Sequence, residues 1–188
     1  MLVLASFLAS AHAASAQATY TASRAGDLQL GAGVELGNSN YLSPELGGTG
    51  ERLRGFGLYS TFDLRKHLGV ELDFKQVSPS YGQDAYERTY ELGGRYVYPL
   101  GRLRPYGKVL YGRGVFNYPR DIANLAYNLS SVGVGLDYRL SHQVNARVDY
   151  EHQHWFGFPL QPLTPNVVSV GIAYHFSGEG QCKYCAQR

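Results

Sequence analysis

Apolar and polar residues alternate with a period of two in eight separate segments of this chain. In residues 68–75, the clearest of these segments, Leu72 and its apolar neighbours alternate with Gly69 and with three charged side chains. A period of two places the two kinds of residue on opposite faces of a β-strand. The segments predicted as strands are residues 28–36, 56–64, 68–75, 88–98, 104–116, 131–138, 144–151 and 168–176. We expect each strand to be about 9 to 11 residues long, the length that a tilted transmembrane strand needs.

The connections between these segments alternate in length. The short connections are residues 65–67, 99–103 and 139–143, and the long ones are residues 37–53, 77–87, 117–127 and 156–165. Outer-membrane barrels show this alternation, because their turns are short in the periplasm and their loops are long outside the cell. The pattern predicts an all-β fold, namely an eight-stranded antiparallel up-and-down transmembrane β-barrel. An even number of strands places both ends of the mature chain in the periplasm.

Aromatic residues indicate that the apolar face contacts lipid. Alternation alone also fits a soluble barrel such as a lipocalin, which turns its apolar face inward. Tyrosine and tryptophan settle at the depth of the lipid headgroups, so a membrane barrel carries two aromatic bands. The band predicted at the periplasmic side contains Tyr96, Tyr98, Tyr138, Tyr174 and Phe176, and the band predicted at the outer side contains Tyr90, Tyr118, Tyr127 and Trp155.

Arg113 interrupts the pattern in the fifth strand. With Lys108 facing inward, the alternation places Arg113 on the lipid side. Either the Arg113 side chain reaches up to the membrane rim, or Gly112 marks a β-bulge that shifts the register. The sequence leaves these two alternatives open.

The polar face predicts an interior of opposed charges. Its charged members are Glu35, Asp63, Glu71, Asp73, Lys75, Glu91, Arg95, Lys108, Asp137, Arg147, Asp149 and Glu151. An eight-stranded barrel is just wide enough for side chains to fill, so we expect a network of ion pairs without an open pore. Acids outnumber bases in this set, which implies either protonated carboxyl groups or a local error of register.

Composition agrees with strands and excludes several classes of protein. The chain has 16 Tyr and 23 Gly beside one Met and one Trp, a balance that suits strands and turns. Its net charge of +2 comes without a long basic or acidic block, so we expect no nucleic-acid partner. After the N-terminus no run of about 18 apolar residues occurs, which argues against a helical inner-membrane protein.

The N-terminus reads as a signal peptide. Residues 2–9 form a short apolar region, and the small-residue patterns at 11–13 and 14–16 suit cleavage before Gln17. We therefore divide the chain into a signal peptide at 1–16, a barrel domain at 17–176 and a periplasmic tail at 177–188.

The last predicted strand resembles the C-terminal β-signal that outer-membrane proteins present to their assembly machinery. A polar residue at 169 is followed by Gly171, Tyr174 and Phe176 in the expected spacing. With the signal peptide and the strand layout, the mature chain resembles the small OmpA-like and opacity-type outer-membrane β-barrel families. The resemblance implies a monomer in the outer membrane whose partners are outer-membrane lipids, lipopolysaccharide, the assembly machinery and an extracellular surface ligand.

Two histidines at the outer end of the seventh strand are the strongest candidates for chemistry. Lipid A deacylase barrels carry a His-x-Ser pair at a comparable place, with histidine as the base for a serine nucleophile. His152 and His154 form a His-x-His pattern instead, so the hydroxyl is missing. The two residues share a strand face and could bind a metal, but no third ligand can be named. We interpret them as polar rim residues and expect no catalytic site, metal or cofactor.

The two cysteines form a C-x-x-C motif in the tail. Because the periplasm is oxidising, we expect either a local disulfide between Cys182 and Cys185 or two unpaired thiols. A thioredoxin-like redox site would need a βαβ context, which the sequence does not predict.

The function predicted first is non-enzymatic. It is a structural and surface-interaction role for a barrel that displays its loops outside the cell. A narrow porin-like channel for small solutes or ions is the alternative, and a lipid A-modifying enzyme is the third hypothesis. Location follows from the pattern more directly than activity does, because one fold serves several functions.

Overall fold

The computed structural model describes residues 27–42, 50–79, 85–118, 123–159 and 162–176. The predicted signal peptide, the tail at 177–188 and the motif of Cys182 and Cys185 lie outside these residues. The start of the predicted barrel domain, residues 17–26, lies outside them as well.

The described residues form one closed barrel of eight antiparallel strands. The strands are β1 (Asp27–Leu42), β2 (Gly50–Asp63), β3 (Leu68–Pro79), β4 (Tyr86–Val97), β5 (Leu103–Asn117), β6 (Asn124–Arg139), β7 (Val144–Phe156) and β8 (Asn166–His175). Each strand pairs with the next one along the chain, and β1 also pairs with β8, which closes the sheet without an edge. The predicted fold class and number of strands are confirmed.

Most strands are longer than the sequence predicted. They contain between 10 residues in β8 and 16 residues in β1 and β6, where about 9 to 11 had been expected for a span of the membrane. The extra length lies at the end of the barrel that carries the long connections, where Asn38 of β1 still pairs with Arg52 of β2. We name this end the outer end and the opposite end the periplasmic end, after the orientation predicted from the sequence. In these outer segments the outward residues are polar, as at Asn38 and Arg52, whereas Leu53, Leu129 and Trp155 face inward. The apolar-outward alternation that marks the membrane span therefore stops before the strands end. The predicted loops at 37–53, 77–87 and 117–127 are therefore too long.

Short turns join the strands at the opposite end of the barrel. The turn after β2 is closed by a hydrogen bond from the Arg65 amide to the Leu68 carbonyl, at 3.0 Å. Gly101, with a φ of 64°, takes the left-handed conformation in the turn before β5, which glycine adopts without steric cost. In the turn before β7, the Ser141 hydroxyl accepts a hydrogen bond from the Val144 amide at 3.1 Å.

No helix among the described residues is long and apolar enough to span a membrane.

The outward face of the barrel is apolar and exposed, as the alternation predicted. Val34, Leu72, Val109 and Ile172 each expose more than half of their surface. In water, a continuous apolar surface of this kind would promote aggregation. In a membrane, it is the surface that contacts the lipid chains. The buried residues of the same strands are mostly polar, which is the reverse of a soluble barrel.

Arg113 lies on this outward face in an unbroken ladder. It pairs with Tyr90 of β4 and with Asn128 of β6, and Gly112 pairs regularly on both sides. The register therefore has no bulge at Gly112, and the exposed Arg113 side chain belongs to the outer end of the lipid-facing surface.

We expect Leu72→Arg to lower the free energy of unfolding by about 2 to 4 kcal/mol, because the charge would lie among lipid chains far from either interface. Asp73→Asn should cost less, since Asp73 faces the lumen and asparagine keeps an oxygen that can accept from Lys75. Urea titration of the barrel refolded in lipid vesicles measures both losses. Equal losses of stability for the two variants would contradict the assignment of Leu72 to the lipid face and Asp73 to the lumen.

Candidate functional site: the lumen and its outer mouth

The strand alternation brings the predicted interior residues together inside the barrel. All ten members of the predicted network are buried there: Glu35, Glu71, Asp73, Lys75, Glu91, Arg95, Lys108, Arg147, Asp149 and Glu151. Asp137, also expected inside, is 1% exposed. The lumen is thus a polar core enclosed by strands.

Glu71 is the centre of the charged cluster that lies nearer the end of the barrel with the short turns. Its carboxylate accepts hydrogen bonds from Arg95 at 3.1 Å, from Arg147 at 3.0 Å and from Lys108 at 3.1 Å. Asp137 bridges the same two arginines, with contacts of 2.7 Å to each. These residues come from β3 to β7, so the contacts cross the barrel and join its opposite walls.

Two tyrosine rings flank this cluster. The Arg147 guanidinium lies 4.0 Å from the centre of the Tyr59 ring, and the Arg95 guanidinium lies 4.2 Å from that of Tyr106. The Tyr59 ring occupies the space beside Gly31, where even a Cβ atom would come within 2.1 Å of it. Small residues on one wall therefore make room for large rings from another.

A second cluster lies further toward the outer end and is built around two lysines. Lys75 contacts Asp73 and Glu151, each at 2.8 Å, and Lys108 reaches Asp149 at 3.0 Å. Lys108 also contacts Glu71, which joins the two clusters into one network.

Two further carboxyl groups lie beside this lysine cluster, but neither is as close to a lysine as Asp73, Asp149 and Glu151 are. Glu91 accepts a hydrogen bond of 2.5 Å from the Ser131 hydroxyl and lies 3.8 Å from Lys75. Glu35 is buried beside Gly57 but forms no ion pair within the described part of the chain.

Arg104 is an interior base that the sequence analysis missed. It binds Asp63 at 2.6 Å near the periplasmic end, where His175 and Asp27 also meet at 2.8 Å. Arg104 lies four positions before Lys108 in β5, and an even offset puts both residues on the same face, so alternation alone would have placed both inside. Glu87 is a buried acid that the sequence analysis also missed, so the excess of acids over bases stays the same.

An apolar cluster closes the outer end of the lumen. It consists of Phe116, Leu129, Trp155 and Leu163, none of which exposes more than 3% of its surface. The Trp155 indole donates a hydrogen bond to Gln153 at 3.1 Å, which satisfies its only polar atom. Gly114 makes room for the indole, because a Cβ atom there would lie 2.3 Å from the ring. We call these four residues the outer plug.

The outer plug corrects the prediction of the outer aromatic band. Trp155 is completely buried in the lumen, and Tyr118 and Tyr127 pack against the plug. Tyr90 does lie on the lipid-facing surface, with 49% of its area exposed. Trp155 is four positions from Glu151 in β7, and an even offset puts both side chains on the same face of the strand. Trp155 therefore points inward.

Residues 162–165 continue the line of β8 between β7 and β1 and supply part of the plug. The Trp155 amide donates to the Leu163 carbonyl at 2.9 Å, which places the Leu163 side chain in the lumen. Asn40 fixes this segment from β1, because its side chain accepts from the Thr164 amide at 2.6 Å and donates to the Pro162 carbonyl at 3.0 Å. Asn40 therefore ties this segment of the barrel wall to β1.

Partly exposed aromatic rings surround the plug at its outer side. Tyr41, Tyr118, Tyr127 and Phe158 form this ring, which we call the aromatic rim. Tyr118 and Phe158 are stacked with an angle of 13° between their planes, and the Tyr118 and Tyr127 hydroxyls are 3.2 Å apart. The aromatic rim is the part of the cluster that other molecules can reach.

The two histidines of β7 lie on the outward face of the strand. His152 contacts the Asn166 side chain at 2.8 Å, and His154 packs edge-on against Phe156. Among the described residues there is no group of three His, Cys, Asp or Glu side chains that could hold a metal ion.

The residues of the proposed β-signal lie on the strand that closes the barrel. Gly171 pairs with Gly33 of β1 and with Arg147 of β7, where a Cβ atom would lie 2.5 Å from the Ala32 carbonyl. Tyr174 and Phe176 point outward with their rings 5.0 Å apart. Their role as an assembly signal stays a prediction.

Solved outer-membrane barrels share the fold of this chain. Ail, the attachment invasion locus protein of Yersinia pestis, is 17% identical, with a TM-score of 0.56 over 81% of this chain and 99% of its own. Neisserial surface protein A is 12% identical, with a TM-score of 0.61 over 79% of this chain and 98% of its own. OprG from Pseudomonas aeruginosa is 16% identical, with a TM-score of 0.58 over 82% and 97%. At these identities the likeness concerns the fold alone.

The family comparison covers almost the whole sequence. Residues 1–176 match the family described as outer membrane protein beta-barrel domain, and the match ends at Phe176. No curated protein matches the chain. The match to this family places the protein in the outer membrane. The chain belongs to the outer membrane protein beta-barrel domain family.

Proposed function

We propose that this protein is a closed, non-enzymatic barrel that supports the outer membrane and displays its outer end for contacts with other surfaces. The observation that carries the proposal is the double closure of the lumen. An ion-pair network fills the middle of the barrel, and the outer plug covers it with side chains that are almost completely buried.

The ion-pair network is a poor path for solutes because its contacts cross the barrel. Lys108 on β5 binds Glu71 on β3 and Glu151 on β7, at 3.1 and 3.0 Å. Each such contact would have to break before an ion could pass. An eight-stranded barrel has little space beyond that which its side chains fill.

The aromatic rim is the surface that we propose for external contacts. Tyrosine and phenylalanine are enriched in protein interfaces, because they bury a large area with few rotatable bonds. The long outer strands hold the aromatic rim on a rigid support. Binding residues are often found in loops that a rigid scaffold positions in this way. Ail has been crystallised with the heparin analogue sucrose octasulfate, which gives one precedent for a ligand on a barrel of this fold.

A narrow channel is the alternative, and one observation favours it. The side-chain amides of Gln29 and Asn145 are buried near the periplasmic end without a hydrogen-bond partner in the described residues. Buried amides of this kind are groups that water solvates. The periplasmic half of the lumen could therefore be wet, although the outer plug lies beyond it.

Planar-bilayer recording separates the two functions. The closed barrel is expected to give no discrete conductance steps, because the ion-pair network fills the middle of its lumen and the outer plug fills the outer end. Reproducible steps from pure, refolded protein would contradict the proposal and favour the channel. For the third hypothesis, a lipid A-modifying enzyme, a changed lipid A mass spectrum in cells that express the protein would be the supporting result.

We also propose that the chain is exported by its N-terminal signal peptide and inserted as a monomer through the β-signal, with both mature ends in the periplasm. Phe176 ends the family match and lies beside Tyr174 on the outward face. We expect Phe176→Ala to reduce the amount of folded barrel in the outer membrane. Phe156→Ala is the matched control, because it removes the same side chain from the outward face of β7. Equal amounts of both variants in the membrane would contradict the assignment.

A further inference from the structure

His152 and His154 occupy neighbouring positions on the outward face of β7, above the apolar part of that face. Below them, Val148 and Tyr150 are exposed among the lipid-facing residues. Alternate residues of a strand point to the same side and are about 7 Å apart, so two imidazole rings at this spacing can approach one ion. His152 is exposed and His154 is half-buried. The strand therefore offers two nitrogen ligands, which we call the histidine pair, where a hydrated ion can reach them.

A hydrogen bond to Asn166 determines which nitrogen of His152 is available. The Nδ1 atom of His152 lies 2.8 Å from Asn166 Oδ1, which also accepts a hydrogen bond from the Tyr150 hydroxyl at 2.8 Å. An amide oxygen only accepts, so the proton of the neutral imidazole is on Nδ1. The Nε2 atom then keeps its lone pair, and no hydrogen bond from the described residues reaches it. Metal-binding histidines are commonly held in this way, by a hydrogen bond from the second ring nitrogen to an oxygen atom.

His154 supplies the second nitrogen after a change of side-chain orientation. Its ring packs edge-on against Phe156, with 4.9 Å between the ring centres, and no hydrogen bond from the described residues holds it there. The neighbours of the histidine pair across the ladder on β6 are Val132 and Ser130, which are neutral. A divalent cation beside the pair therefore meets no repulsion from these positions.

We propose that the histidine pair is a surface site for Cu²⁺, with water molecules in the remaining coordination positions. Among the divalent first-row metals, Cu²⁺ binds nitrogen ligands most strongly, and its tetragonal geometry accepts two neighbouring imidazoles beside water. Asn166 is a positioning residue of this site, because it orients His152 and does not contact the ion. The sequence alone indicated no metal because it shows no third ligand, whereas the hydrogen bond to Asn166 is visible only in the structure. The site lies outside the barrel, so it does not depend on whether the lumen is closed.

The test is a titration of the refolded barrel with Cu²⁺ in an uncharged detergent. Bound Cu²⁺ quenches a nearby fluorophore, and Trp155, which is the only tryptophan of the chain, follows His154 directly. Thiols also bind metal ions, so every protein compared carries Cys182→Ser and Cys185→Ser. Electron paramagnetic resonance of the complex counts the nitrogen ligands, and heat-modifiable gel migration verifies that each variant is folded.

The variants His152→Gln and His154→Gln each remove one of the two ligands. Each is expected to weaken Cu²⁺ binding by more than about tenfold, since even the loss of a residue that only orients a ligand usually costs about that much. The parent protein should show two nitrogens bound to the ion, and each variant should show one. His142→Gln is the control, because it removes a histidine from the turn before β7, and it should change the affinity less than about twofold. Equal affinity of the parent protein and either ligand variant, or an equally large loss in His142→Gln, would overturn the site.

Asn166→Ala tests the positioning role separately. It is expected to weaken Cu²⁺ binding about tenfold while the complex keeps two nitrogen ligands. Tyr150→Phe removes the other hydrogen bond to Asn166 and leaves the one to His152, so it should change the affinity less than about twofold. Equal effects of these two variants would contradict the role of Asn166. A single nitrogen ligand in the spectrum of the parent protein would overturn the two-histidine site itself.

Discussion

Replacing Glu71 with leucine is expected to lower the free energy of unfolding by about 3 to 5 kcal/mol, the usual loss when one partner is removed from a buried ion pair. Glu71 accepts hydrogen bonds from Arg95, Lys108 and Arg147, so its removal leaves positive groups facing one another in the lumen. Leucine fills most of the same volume, which makes charge the main difference. Urea titration of the barrel in lipid vesicles measures the loss.

Asp63→Asn is the control for this prediction. The Asp63 carboxylate pairs with Arg104 near the periplasmic end, and both side chains are about a tenth exposed. Water can therefore solvate the arginine that the substitution leaves behind, and we expect a loss below about 1 to 2 kcal/mol. A loss as large as that of Glu71→Leu would contradict the prediction that the central, fully buried Glu71 contributes more stability than the partly exposed Asp63.

Trp155→Ala is expected to cost about 3 to 5 kcal/mol, because it removes the largest buried side chain and leaves a cavity in the outer plug. The indole packs against Gly114, and the hydrogen bond from the Thr164 amide to Asn40 holds the segment that carries Leu163. The same variant opens the outer end of the lumen. The measurement is again urea unfolding in vesicles.

Phe156→Ala serves as the comparison, since Phe156 follows Trp155 in β7 but points outward with 46% of its surface exposed. Its removal leaves no enclosed cavity, so the loss should be about 1 kcal/mol or less, in line with an exposed apolar side chain. If both variants lose the same stability, Trp155 is not enclosed as described.

The faces of the strands could be predicted from the sequence because the period of two is unambiguous in this chain. Glu71 and Asp73 alternate with Leu72 in a segment where every second residue is charged. A charged side chain cannot face lipid chains at low cost, so these residues had to lie inside. The same argument holds for Arg147 and Asp149 in β7.

The outer ends of the strands could not be predicted in the same way. Above the lipid both faces of a strand contact water or other protein groups, and the requirement for alternation disappears. Asn38 and Arg52 pair in a regular ladder there, although neither neighbouring sequence shows a hydrophobic period. The outward side chains there are polar and apolar residues such as Leu129 and Trp155 face inward, so the pattern that marks the membrane span stops before the strands end.

Trp155 was assigned wrongly although the sequence held the information. Its position in β7 has the same parity as Arg147 and Glu151, both of which face the lumen. The error arose because the seventh strand was expected to end at residue 151, so that a tryptophan beyond it seemed free to reach the interface. A tryptophan near a strand end is typical of an aromatic band. Here its even offset from the lumen-facing residues of β7 predicts that it points inward.

The partners of the interior charges could not be predicted from sequence. Alternation gives the face of each residue but not its height in the barrel, and the height depends on the stagger between strands. Lys108 meets Glu71, Asp73, Asp149 and Glu151 only because β3, β5 and β7 bring those positions to one level. Each of these contacts joins residues that are far apart in the sequence.

Fluorescence quenching of Trp155 tests the closed lumen most directly, because it is the only tryptophan of the chain. The protein is refolded in lipid vesicles and exposed either to aqueous iodide or to lipids with brominated acyl chains. We predict weak quenching by both, since the indole is 0% exposed and faces neither water nor lipid. Strong quenching by brominated lipids would place Trp155 in an outer aromatic band, and strong quenching by iodide would show that the mouth of the barrel is open.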